Sequence, residues 1–217
     1  QENTLEIKAT ANYMNTGEGL HRFVDPVDNE TYLYTQFEVP DSRRVFAVFE
    51  QPDLKATFQF NITAPSSWKV VSNQPSPTPD PVNGEPGKSI WSFAPTPIIP
   101  SYITAIIAGP YIETKSELTS SNGKTIPLGV FSRASLSQYL DADYIFEKTR
   151  QGFAFFEKEF SYPYPFEKYD QLFVPEFNAG AMENAGAVTF TESYVFRGKV
   201  TDAIRERRVV TILHELA

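Results

Sequence analysis

The chain has 217 residues, 41% hydrophobic and 21% charged, enough length and apolar content for one large domain or two small ones with a packed core. Its 18 Phe, 11 Tyr and 2 Trp exclude a low-complexity disordered chain. With 19 basic against 27 acidic residues, the net charge of −8 repels a phosphate backbone, so nucleic acid is not an expected partner.

No run of about 18 apolar residues is present, so membrane insertion is not expected, and no basic-then-apolar leader opens the chain. The absence of cysteine removes disulfides and thiolate metal sites and fits a reducing, cytoplasmic setting. Nothing in the composition speaks to oligomeric state. The chain begins at Gln1 in strand-like alternation (Leu5, Ile7, Ala9) and stops at Ala217 inside a helical pattern without a cap, so it reads as a piece of a longer protein.

From 1 to about 118 the pattern is short β segments: Thr31 to Val39, Arg44 to Gln51, Ala56 to Ile62, Trp68 to Ser72, Ile90 to Phe93 and Tyr102 to Thr114. Asn61-Ile62-Thr63 matches a glycosylation acceptor, a triplet common by chance. The eight prolines between Gln74 and Pro100, with Asn83-Gly84 and Pro86-Gly87 among them, read as an ordered hairpin loop. Polar Thr119 to Lys124 is the best domain boundary, dividing 1–118 from 119–217, and Ile126 to Phe131 is one more strand.

Beyond it, Ile145, Gly152, Phe156 and Phe160 recur at helical spacing within Ser137 to Phe160. The aromatics between Tyr139 and Tyr169 read as core and loop packing. Gln171 to Val174 and Ala187 to Thr191 are strands flanking an Asn178-Ala179-Gly180 turn, and Asp202 is placed to cap a last helix. The fold class is therefore a mostly antiparallel β half followed by an α+β half.

That last helix ends in His214-Glu215-Leu216-Ala217. In the H-E-x-x-H motif two histidines four residues apart share a helical face and bind zinc, while the Glu acts as base on the zinc-bound water. Here the second histidine position falls just past Ala217. Alone, the His-Glu pair is weak. It stands 32 residues after Glu183 of Gly180-Ala181-Met182-Glu183-Asn184, a far more specific string.

With that string, the chain resembles the aminopeptidase N family of zinc metallopeptidases. The resemblance continues through Thr35 to Glu38, Phe46 to Ala56, Ile107 to Tyr111, Tyr162 to Phe166 and Arg208 to Ala217. It departs at Ala47 to Pro52, where many members carry a Cys and an Asp-Glu-Pro. The resemblance implies an antiparallel, saddle-like β domain over 1–118 and the start of a thermolysin-like catalytic domain over 119–217. It further implies one zinc ion per whole enzyme with His214 as one ligand, Glu215 as general base, and Glu183 with Glu38 holding the free α-amine of a peptide substrate.

Gly180, Ala181, Met182 and Asn184 fall on the family's substrate-aligning segment, and Gln36 is expected to share a strand face with Glu38. With the other ligands beyond Ala217, the fragment is expected to be inactive by itself. Two alternatives stand beside the aminopeptidase. One is a non-catalytic peptide-binding relative; the other, a metalloendopeptidase, is disfavoured because Glu38 and Glu183 would close the cleft to an internal peptide.

Overall fold

The computed structural model describes residues 3–217; Gln1 and Glu2 lie outside it. Among the described residues, twelve strands and two α-helices run in the order β1 (Gly19–Val24), β2 (Thr31–Gln36), β3 (Asn61–Pro65), β4 (Lys69–Ser72), β5 (Asp80–Pro81), β6 (Lys88–Ser92), β7 (Ile106–Gly109), β8 (Ile112–Thr119), β9 (Thr125–Ser132), α1 (Ala142–Glu159), β10 (Tyr169–Val174), β11 (Ala181–Met182), β12 (Ala187–Thr191) and α2 (Asp202–Leu216). The first seven strands form two antiparallel sheets, ordered β1-β2-β7-β4 and β3-β6-β5. The other five form one sheet, β11-β12-β10-β9-β8, with β9, β10 and β12 parallel and antiparallel strands at both edges. This is the expected β half followed by an α+β half.

Three cores hold these layers. Leu33, Val70, Trp91 and Phe93 pack the two antiparallel sheets together. Ile126, Leu128, Ile145, Phe153, Phe173 and Ile212 bury the helices against the mixed sheet. Between the halves lies a third core, in which Tyr32, Tyr34 and Ile107 meet Leu172, Val174, Phe177 and Met182. Burying such side chains contributes about 1.5–3 kcal/mol each.

Several expected elements differ, each for a local reason. Residues 3–13 form no strand and stay exposed, because the Leu5, Ile7, Ala9 alternation meets no partner strand among the described residues. Arg44 to Gln51 is not a strand either. A 3-10 turn covers Asp41–Arg44, and Phe46 is absorbed by an aromatic cluster with Phe37, Phe58 and Phe60. The proline-rich stretch does hold a hairpin, β5 to β6, turned at Asn83 and Gly84.

Thr119 to Lys124 is the turn of a second hairpin. β8 pairs with β9 along its whole length, so the sheets change hands at Pro110 and Tyr111, before that turn. Helix α1 ends at Glu159 and buries Ile145, Phe146, Thr149, Gly152 and Phe153, leaving Phe160 58% exposed. Thr201, rather than Asp202, caps α2 by accepting the Ile204 N–H.

Candidate active site

Helix α2 buries Arg208, Thr211 and Ile212, positions three and four apart, and Glu215 falls next on that stripe. Arg208 anchors the helix. Its guanidinium donates to both Asp141 carboxylate oxygens at 2.6 and 2.8 Å and to the Tyr194 carbonyl at 3.2 Å, and it stacks on Phe196 and Tyr144. Farther along, Leu213 and Leu216 pass so close to Gly152 that a Cβ there would come within 2.6 Å of Leu213. The glycine in α1 therefore sets how deeply the end of α2 sinks.

Glu215 is left partly buried, with Oε2 enclosed and without a hydrogen-bond partner among the described residues. Burial, reinforced by the carboxylates of Glu183 and Glu38, pushes its pKa up from about 4.5 to about 7. Two acidic side chains from distant segments thus act on Glu215. Glu183 and Glu38 are exposed.

Glu38 reaches this neighbourhood by a different route from the expected one. Strand β2 ends at Gln36, and the Asp41 N–H bonds back to the Phe37 carbonyl, so Glu38 sits on a turn and shares no strand face with Gln36. Gln36 closes the strand half-buried, its Oε1 enclosed without a partner among the described residues.

The segment carrying Glu183 crosses from β10 to β12. Strand β11 pairs with β12 and is the edge of its sheet, and the Gly180 carbonyl accepts the Thr191 N–H. A Cβ on Gly180 would find only the Tyr194 hydroxyl, 3.7 Å away. Ala181 is half-buried on this edge. The Met182 side chain is fully buried in the core between the halves, and the Asn184 amide donates to the Thr189 hydroxyl at 3.2 Å. Those two side chains therefore serve packing here, and what their segment offers outward is main chain and Glu183.

A cavity of about 490 Å³ opens beside Glu183 and Glu215, walled by Phe153, Phe156, Tyr162, Tyr164, Phe166 and Tyr169. The aromatic run that sequence reasoning assigned to packing alone thus also borders the acidic cluster. His214 is exposed on the last turn of α2. Among the described residues no three His, Cys, Asp or Glu side chains gather closely enough to hold a metal, and a lone histidine makes no metal site.

Sequence reasoning missed Arg208, although the spacing of Arg208, Thr211, Ile212 and Glu215 on one face was legible. It also missed the contacts that fasten residues 176–186 to the β half. His21 Nε2 lies 3.0 Å from a Glu176 carboxylate oxygen, and Asn73 Nδ2 donates to the Ala185 carbonyl at 2.9 Å. No local pattern marks either.

Comparison with known proteins agrees with this architecture. The chain matches the peptidase M1 N-terminal domain over residues 1–103 and the peptidase family M1 domain over 144–217. It is 63% identical over 215 residues to aminopeptidase N of Streptomyces lividans, covering 99% of this chain and 24% of that protein. Over 84% of this chain it is 35% identical to canine aminopeptidase N and 33% identical to chicken aminopeptidase Ey, in each case across 19% of the relative. The chain therefore spans about a quarter or less of the length of these relatives.

Proposed function

The chain belongs to the peptidase M1 family, and from that premise we propose that the whole protein is a zinc-dependent aminopeptidase hydrolysing the N-terminal peptide bond of peptides. The observation that carries this reading is that Glu183 and Glu215 border one cavity, with the charges of Glu183, on an edge segment, and Glu38, on a turn, both acting on Glu215 of the helix. An aminopeptidase must distinguish a chain end from a chain middle. The distinguishing group is an α-ammonium, a cation with three donors that carboxylates satisfy when water is excluded. Glu183 and Glu38 take that role.

The outer edge of β11 supports adding the substrate as a further strand, with Gly180 leaving room for its backbone. Glu215, poised by its surroundings near neutral pH, takes a proton from the attacking water and returns it to the leaving amine. His214 supplies one zinc ligand. Zinc, when bound, would polarise the scissile carbonyl and acidify water. The remaining ligands belong, in this reading, to sequence outside these 217 residues, so this chain alone binds zinc weakly and is inactive. The cysteine-free composition supports a cytoplasmic setting.

The test uses the full-length protein on amino-acid p-nitroanilides, free or N-acetylated, with chelator and then zinc. Cleavage confined to free amines and restored by zinc is expected. Glu183→Gln or Glu38→Gln raises KM for free amines by roughly tenfold or more. Glu215→Gln lowers kcat by about 10²- to 10⁴-fold. Equal cleavage of N-acetylated substrates would remove the amine-site reading, and zinc binding without any cleavage would favour a peptide-binding relative.

A further inference from the structure

The two carboxylates assigned to the α-amine come from different halves of the molecule, so something must fix their separation. Glu183 lies on a crossing whose own sheet holds it by a two-residue edge strand. Its own half adds the Gly180–Thr191 main-chain bond and the Asn184–Thr189 bond, and at both ends of the segment the β half holds it too. At the entrance, Glu176 Oε2 lies 3.0 Å from His21 Nε2, and the Glu176 carbonyl accepts the Tyr34 hydroxyl at 3.2 Å. At the exit, Asn73 Nδ2 donates to the Ala185 carbonyl at 2.9 Å and to the Ile103 carbonyl at 2.9 Å, while Asn73 Oδ1 accepts the Ala105 N–H.

The entrance contact has a defined chemistry. His21 Nδ1 accepts the Gly17 N–H at 3.0 Å, so the imidazole proton sits on Nε2 and is donated to Glu176. The ring is fully buried and stacked on Tyr34, with centroids 4.9 Å apart, so it cannot swing away. His21 and Tyr34 face each other in the β1–β2 register, and Glu38 lies four residues beyond Tyr34. One strand pair therefore grips the loop that carries Glu183 and leads directly into the turn that carries Glu38.

We propose that His21 and Glu176 are positioning residues of the amine site, setting the separation of Glu183 and Glu38 through this grip. The inference rests on the reading of those two carboxylates as the α-amine site. Neither positioning residue touches substrate. A displacement on the order of 1 Å in such a pair is enough to weaken capture of a cation that must meet both carboxylates at once.

Glu176 is the residue to change, because its side chain is 56% exposed and its removal leaves the cores intact. In the full-length enzyme, Glu176→Ala is expected to raise KM for free-amine p-nitroanilides by roughly tenfold, with kcat changed less than about threefold. The preference for free over N-acetylated substrate shrinks in proportion. Glu176→Gln keeps an oxygen acceptor for Nε2–H on the same backbone and stays within about threefold of wild type. Melting temperatures of both stay within roughly 3 °C, as for other exposed positions. Amide exchange over residues 177–184 speeds up in the alanine variant and not in the glutamine variant.

A discriminating wild type whose Glu176→Ala variant keeps its KM overturns this inference alone. So does a Glu176→Gln variant as impaired as the alanine one. A wild type that cleaves N-acetylated substrate equally well overturns the amine-site reading and this inference with it.

Discussion

His21 is a buried imidazole held neutral. Desolvation lowers its pKa below the ordinary 6.5, and the hydrogen bond and charge of Glu176, which act the other way, only partly offset it. In the unfolded chain the same ring takes up a proton as pH falls through about 6.5, while the folded ring resists. The unfolded state then binds more protons, so the His21 contribution to stability is full above that pH and is lost below it. Replacing His21 with Gln removes the titrating ring. The stability gap between wild type and His21→Gln, read from urea midpoints, should therefore be larger at pH 7.5 than at pH 5.0, and a constant gap would contradict this account. Nothing local marks His21 in the sequence, since its partner Glu176 is 155 positions away. Glu215 and Glu183 were legible because their neighbours in sequence carry the signal.

At the scale of elements, the two glycines flanking the Glu183 segment make opposite predictions. Gly186 has φ +70°, and a Cβ there would lie 2.6 Å from the Asn73 carbonyl oxygen, which the cross-half packing holds in place. Gly186→Ala should cost about 2–4 kcal/mol. At Gly180 the nearest atom to such a Cβ is 3.7 Å away, so Gly180→Ala should cost less than about 0.5 kcal/mol while raising KM, if that edge receives a peptide backbone. Urea melts and kinetics on the two variants separate the roles, and equal destabilisation would contradict them. Elements were legible where a clear strand pattern also had a partner; Gly19–Val24, paired with β2 along its length, escaped because Leu20, His21, Arg22 and Phe23 do not alternate. Ile90 to Phe93 and Ala187 to Thr191 pair on at least one side, whereas Leu5 to Ala9 and Arg44 to Gln51 alternate without one. Thr119 to Lys124 has the composition of a linker because hairpin turns and linkers draw on the same residues; only the pairing of β8 with β9 distinguishes them.

For the whole molecule, the halves are joined by a shared core and by one buried ion cluster. Arg133, just after β9, donates to Asp25 at 2.6 Å and to Glu192 at 2.6 Å, and Ser135 also bonds Asp25. Burial pushes the Asp25 carboxyl up, but donors from Ser135, the Val27 N–H and Arg133 outweigh it and hold the group below its usual range. Glu192 is raised by burial even with Arg133 beside it. Removing the guanidinium leaves two enclosed carboxylates facing each other, so Arg133→Met should cost about 3–5 kcal/mol. Because the cluster spans the halves, the loss should also weaken their coupling. Trp68 and Trp91 both lie in the β half, while α1 and α2 lie in the other, so tryptophan fluorescence and helical circular dichroism report on different halves of this chain. Their urea transitions should coincide in the wild type and separate in Arg133→Met, with Asp25→Asn restoring part of the loss in the double variant. Coincident transitions in the single variant would mean that the apolar core between the halves is sufficient to make them unfold as one unit.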